Sequence, residues 1–332
     1  MKQTFKYISF FIIAISFYSQ GFTQTPLTQL TGKVKKRVIE NISENLKTNY
    51  TDLDTALKMS GFIKQQLNIG AYDTIKTPSV FANRLTKDLL SVYHDGHLSI
   101  EYDPRFSESF NTQNLEAEKQ QSEKRLKFRK RVNFGFDKAE VFPGNISYLK
   151  IGGFFAPDKE SKDMAVSALR FVSNSQALII DLRNNMGGDP GMVAYICSFL
   201  FKNRTHLNDL YARKDKSTTS YWTTPDSTLK ALTTIPIYIL TSKTTFSAGE
   251  ELTYDLQTQK RAIIIGERTG GGAHPVQPYV VGNGFVANIP FARAINPITK
   301  TDWETAGVKP DIEIAADKAL EAALNKIKNV QP

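Results

Sequence analysis

The chain has a single cysteine, Cys197, in 332 residues, so an internal disulfide is excluded and stability rests on a packed core. Histidine is also scarce: His94, His97, His206 and His274 are the whole set. His94 and His97 flank Asp95 at a spacing that suits a metal pair, but no third ligand cluster stands beside them, and no metal is expected. There is no Gly-x-Gly-x-x-Gly, and the glycine-rich run Gly266 to His274 lacks the Gly-Lys-Ser/Thr ending of a phosphate loop. Dinucleotide and phosphate sites are therefore excluded, and no cofactor is expected. The longest apolar run, Ile8 to Tyr18, is too short to span a bilayer comfortably.

What that run does resemble is the core of a secretory signal. Lys2 and Lys6 precede it and polar Ser19-Gln20-Gly21 follows, which predicts a signal peptide over residues 1–24 and a product exported to a periplasm or beyond. No stable membrane insertion is expected after its removal. The formal charge is +9, and the segment from Glu116 to Arg131 holds seven Lys/Arg against three Glu. Only Phe128 offers a stacking ring there, so the segment reads as a solvated helical connector and no nucleic-acid partner is expected.

Behind the leader, residues 25–100 predict a small bundle of three helices. Val34, Val38, Ile42 and Leu46 keep one helical face apolar; Leu53, Leu57, Ile63 and Leu67 do so in the second helix, and Phe81, Leu85, Leu89 and Val92 in the third. Residues 101–131 form the charged connector. From 132 to 332 short apolar runs alternate with helix-like segments: Ala177 to Leu182, Ile237 to Leu240 and Ala262 to Ile265 read as buried strands. Alternating strand and helix implies an α/β domain with a largely parallel sheet.

Two strand-to-helix junctions carry chemistry. In Ile237-Tyr-Ile-Leu-Thr-Ser-Lys-Thr-Thr-Phe-Ser247-Ala248-Gly-Glu, a serine sits where a helix begins, beside free backbone N–H groups. That suits a nucleophile with an adjacent oxyanion donor, and it equally suits an ordinary N-cap. In Asp181-Leu-Arg-Asn-Asn-Met-Gly187-Gly188-Asp-Pro190, the glycines let the backbone approach a ligand and offer N–H donors, which is either half of an oxyanion hole or a plain tight turn. A nucleophilic serine needs a base and a carboxylate to orient it; Glu304, in Trp303-Glu-Thr-Ala-Gly-Val-Lys-Pro310-Asp, is a candidate for the latter.

Together these segments resemble the tail-specific, or carboxyl-terminal processing, serine peptidases of the ClpP/crotonase-like fold. The shared order is Asp95-Gly-His97, Asp181 to Gly188, Thr241 to Glu250, Gly266-Glu-Arg-Thr-Gly270, and Gly307-Val-Lys-Pro-Asp311. The processing peptidases use a Ser–Lys dyad and carry a PDZ domain; here the lysine position is Gly272, and 101–131 is too short for that domain. The chain is instead similar to the tricorn protease core and to the retinoid-binding repeats of the interphotoreceptor protein. The tricorn resemblance implies Ser247 as nucleophile, His97 as base and Glu304 as its support, with Gly187, Gly188 and Ala248 forming the oxyanion hole. A serine that relays between base and carboxylate in that family is Gly96 here. His274, near the missing lysine, is the reserve base. The expected partner is a peptide or protein substrate. The other resemblance implies a different role for the same fold, a non-catalytic carrier of an apolar ligand.

Overall fold

The computed structural model describes residues 29–111 and 115–329, so the expected signal peptide lies outside the described residues. The first helix, α1 (Gly32–Asn49), begins where the Thr31 hydroxyl accepts the Val34 N–H, and it buries Val38, Ile39, Ile42 and Leu46. Asp52 caps α2 (Leu53–Asn68) by accepting the Thr55 N–H at 2.8 Å, and proline opens α3 (Pro78–Val92). Strand β1 (Ser99–Tyr102) follows, then α4 (Pro104–Asn111) and α5 (Leu115–Arg131).

The remaining elements in order are β2 (Phe136–Phe142), β3 (Ile146–Ile151), α6 (Lys159–Phe171), β4 (Ala177–Asp181), α7 (Pro190–Cys197), β5 (His206–Ala212), β6 (Ser217–Trp222) and β7 (Ile237–Thr241). After them come α8 (Ala248–Thr258), β8 (Ala262–Gly266), β9 (Val276–Gly282), β10 (Phe285–Pro290), β11 (Ala292–Ile295), β12 (Ile312–Glu313) and α9 (Ala319–Lys328). The central sheet runs β12-β8-β7-β4-β3-β2, parallel except for the β2 edge. This is the α/β class that the alternating pattern predicts.

Both faces of that sheet are covered. Leu178, Ile180 and Ile239 point to α6, α7 and α8, while Ile179, Tyr238 and Leu240 point to α9 through Ala319, Ala323 and Ile327. Burial on both sides is why these strands read as unbroken apolar runs rather than as an alternation. The sheet's carboxyl ends, at β4 and β7, open onto the two motif-bearing turns, the usual place for a ligand in a parallel sheet.

Two smaller antiparallel sheets flank it, ordered β1-β10-β9 and β11-β5-β6. The helical bundle is not closed by its own segment. Val281, Phe285, Ala287 and Ile289 come back from far along the chain to complete its core, and the Phe81 and Phe285 rings meet edge to face at 5.8 Å. Phe285 is fully buried and joins the two ends of the chain. Phe285→Ala is expected to lower stability by about 3–5 kcal/mol, read as a shift of the urea midpoint followed by far-ultraviolet dichroism; a loss under about 1 kcal/mol would mean this joint is not a structural core.

Candidate active site

The turn after β7 is stitched to the turn after β4. Thr245 Oγ1 donates to the Leu182 carbonyl at 2.8 Å, Thr244 Oγ1 to the Arg183 carbonyl at 2.8 Å, and Ser242 Oγ to that same carbonyl. This is what the Thr-Ser-x-Thr-Thr pattern does. Arg183 in turn is locked to Asp181 by two hydrogen bonds, at 2.9 and 2.6 Å, while Tyr148 donates to the same carboxylate. Asn185, fully buried, accepts the Gly187 N–H at 2.7 Å and donates to the Ile151 carbonyl at 3.0 Å.

Ser247 sits at the start of α8 with φ 53° and ψ −123°, a backbone conformation that L-residues rarely adopt. It is held there from two sides. Glu250 accepts the Ser247 N–H at 2.9 Å, and Gly187, at φ 102°, packs so close that a Cβ there would lie 2.6 Å from the Ser247 Cβ. Only glycine fits at 187.

Of the three expected oxyanion donors, Gly187 has its N–H occupied by Asn185 Oδ1. Phe154 bridges to the loop through the Gly187 carbonyl and the Asp189 N–H, and the Gly188 N–H between them has no partner among the described residues. Gly188 and Ala248 line the same cleft as Ser247 and His97, a cavity of about 420 Å³.

His97 is brought in from the end of the helical part, immediately before β1. Its ring lies against Phe246 at 4.6 Å between centroids and 33° between planes, and its Nδ1 is buried with no hydrogen-bond partner. Burial pulls its pKa down to about 4, so the ring is neutral in the physiological range, as a base must be. Phe246 also explains two glycines. A Cβ at Gly96 would meet its ring at 2.8 Å, and a side chain at Gly272 would overlap both that ring and His97 Cε1. The space for a relay serine at 96 or a dyad lysine at 272 is thus filled by one aromatic ring.

Glu304 and His274 form a separate buried knot with Asp95. His274 Nδ1 lies 2.8 Å from Asp95 Oδ2 and 3.7 Å from Glu304 Oε2; Tyr50 donates to Asp95 at 3.0 Å, and the Ala273 N–H to Glu304 at 2.6 Å. Burial opposes a charged His274, but the hydrogen bond to Asp95 and the charges of Asp95 and Glu304 outweigh it, and the pKa is raised. Burial and the Asp95 charge push Glu304 up to about 7. Glu304 therefore stands beside His274, and its other oxygen, Oε1, is buried without a partner. The three ligand atoms lie within 4.8 Å of one another, so this trio, rather than His94 with His97, is the group able to hold a metal ion among the described residues. His94 is exposed, and His206 stacks on Trp222 and bonds Asp209 on β5.

Asp95 does more than separate two histidines: its other oxygen accepts the His97 backbone N–H at 3.1 Å, so one carboxylate sets both histidine-bearing loops. Glu250 does the same for the opposite wall, accepting from the Gly271 and Gly272 N–H groups at 2.7 and 2.8 Å and from the Thr269 hydroxyl. Burial pushes it up to about 7 despite those bonds. Neither role had a sequence signal beyond the motif position itself.

Two outcomes test this packing. Gly272→Ala forces Phe246 or His97 out of place and is expected to lower stability by about 1–3 kcal/mol in urea unfolding; an unchanged midpoint would show that the ring yields freely. His97 stays neutral in the folded protein down to about pH 4, whereas the unfolded chain takes up that proton near pH 6.5. Its folded pKa is depressed, so the ring destabilises the fold as pH falls through that window. His97→Gln should then be relieved of about 2–3 kcal/mol of the parent's loss between pH 6.5 and 4.5, and parallel curves would refute the buried neutral ring.

Residues 145–314 match the profile of peptidase family S41, and residues 27–143 match the N-terminal domain of Peptidase_S41 in eukaryotic IRBP. Carboxyl-terminal-processing peptidase 2, chloroplastic, of Arabidopsis thaliana is 28% identical over 179 residues, which is half of this chain and 31% of that protein. The chain thus spans about a third of this curated relative. Among solved structures, a putative peptidase from Parabacteroides merdae aligns over 88% of this chain and 96% of its own at TM-score 0.60 and 16% identity. The tricorn protease aligns over 90% of this chain and 37% of its own at TM-score 0.53 and 14% identity, and both likenesses speak for the fold. With the family profile covering the parallel strands of the central sheet, both motif turns and the loop of Glu304, the chain belongs to peptidase family S41.

Proposed function

We propose that this chain is an exported serine peptidase that cleaves peptide bonds of proteins or peptides. The observation that carries the reading is Ser247 itself: a serine forced to positive φ at a helix start, in a cleft that His97 also lines. Family membership supports the reaction class, and the Lys2-Lys6 leader supports export.

In this mechanism Ser247 Oγ attacks the scissile carbonyl and His97 takes its proton. The N–H groups of Gly188 and Ala248 hold the oxyanion, with Gly187 acting as the close-packing residue that aims the loop. His97 then gives the proton to the leaving amine, and water releases the acyl group. Glu304 supports the ring indirectly: it lies beside His274, which bonds Asp95, and Asp95 accepts the His97 backbone N–H. His274, already tied to Asp95, serves as a positioning residue rather than as the base.

A carrier of an apolar ligand is the second reading, favoured by the absence of a direct partner on His97 Nδ1. A fluorophosphonate probe separates the two. The parent protein should gain one adduct by intact mass, Ser247→Ala none, and His97→Ala should label at least ~10³-fold more slowly. A folded parent that takes no adduct sinks the peptidase reading and supports the carrier.

A further inference from the structure

One helical turn beyond the nucleophile lies Glu251, a carboxylate that the Ser–His chemistry does not use. Its backbone N–H bonds the Ser247 carbonyl at 2.9 Å, so the two residues share a face of α8 and line the same cleft. Glu251 is only 4% exposed. One of its oxygens accepts a long hydrogen bond, 3.3 Å, from Asn208 on β5, and the other has no partner among the described residues. The pocket around it has mostly apolar or small walls, from Leu210, Ala212, Tyr221 and Ala292 of the β11-β5-β6 sheet.

The surroundings of Glu251 are acidic and lack a counterion. Asp255, one turn further along α8, is fully buried and has an orphaned Oδ2; its other oxygen has only Asn296, at 3.5 Å. Asp189 caps α7 nearby. The half-buried guanidinium of Arg261 donates to the carbonyls of Leu200, Leu232 and Ile235. No lysine or arginine pairs with Glu251 or Asp255 among the described residues. Burial pushes both carboxyls upward, with Asp189 adding to the effect on Glu251 and Glu251 to that on Asp255. Glu251 alone of the two reaches the cleft wall; with no protein cation beside it, burial favours its neutral form, and a cation entering from outside would draw off its proton and pair with it.

We propose that the pocket beside Ser247 is a specificity site for a basic side chain, lysine or arginine, whose aliphatic stem packs on the Leu210–Tyr221 wall and whose charged head pairs with Glu251. The basic residue is then the one next to the bond presented to Ser247. This placement relative to the bond rests on the peptidase reading; the binding preference itself does not.

The test uses Ser247→Ala protein, which binds without turnover. Blocked pentapeptides acetyl-Ala-Ala-X-Ala-Ala-amide, with X lysine, norleucine or acetyl-lysine, are titrated by calorimetry. The lysine peptide is expected to bind at least ~10-fold more tightly than the other two, and Glu251→Gln should collapse that ratio to near one. Glu251→Met, which replaces the buried acid by an apolar group of similar length, should reverse the preference toward norleucine. Equal or better binding of norleucine to the Glu251 protein, or a lysine preference that survives both substitutions, overturns the proposal. The same peptides are offered to Ser247-bearing protein: a lysine preference in binding with no cleavage keeps the pocket and counts against the peptidase reading alone.

Discussion

The Phe246 ring is the part on which the site's geometry turns. It enters a space walled by Gly96, Gly270 and Gly272, none of which has room for a side chain while the ring is there, and it lies against the His97 imidazole. A buried imidazole with no partner on Nδ1 has little to fix its plane except packing. The ring supplies that packing. The glycines at 96 and 272 therefore belong together: accepting Phe246 requires both.

Two buried carboxylates then fix what the ring leaves free. Asp95 holds the His97 backbone, the Tyr50 hydroxyl and the His274 ring, while Glu250 holds Ser247 and the Gly271–Gly272 backbone. Burial penalises each as an anion, and each is compensated in a different way. Asp95 has an imidazole and stays low, whereas Glu250 has only neutral donors and rises toward neutrality. The Ser247 wall is thus tied by hydrogen bonds to neutral groups, and the His97 wall by a charged pair.

The central sheet was legible because its strands are buried on both faces and so are continuous in Ile and Leu; the two motif turns were legible because glycine, serine and threonine fall at fixed offsets from those strands. What escaped was everything built by distant pairing. Ser99 to Tyr102 pair with Asn288 to Phe285, nearly two hundred residues on, and nothing in either stretch names the other. The β11-β5-β6 sheet was also hidden, since Ser217 to Trp222 are mostly polar and half exposed on an edge strand. Phe134 lies in a turn at φ 51°, ahead of an irregular register between Phe136 and Lys138, and neither irregularity has a sequence signal. The motifs led to the expectation that His97 and Ser247 meet, and they line one cleft; the pairing of Glu304 with His274 depends on a loop contact that spacing does not encode.

That distant pairing is also what makes the site one object. His97 comes from the helical part and Ser247 from the sheet domain, so their alignment is as good as the joint between them. The joint is made by β10 against β1, by Arg213 donating to the Lys47 and Tyr50 carbonyls, and by His274 on Asp95, while Trp303 Nε1, donating to the Gly272 carbonyl at 2.9 Å, ties down the loop that packs on His97. A hinge at this place would let His97 swing away from Ser247, and apolar packing of Phe285 in the bundle core removes that freedom. The longest-range contacts of the fold thus lie where His97 and Ser247, borne by two separate elements, are kept in register.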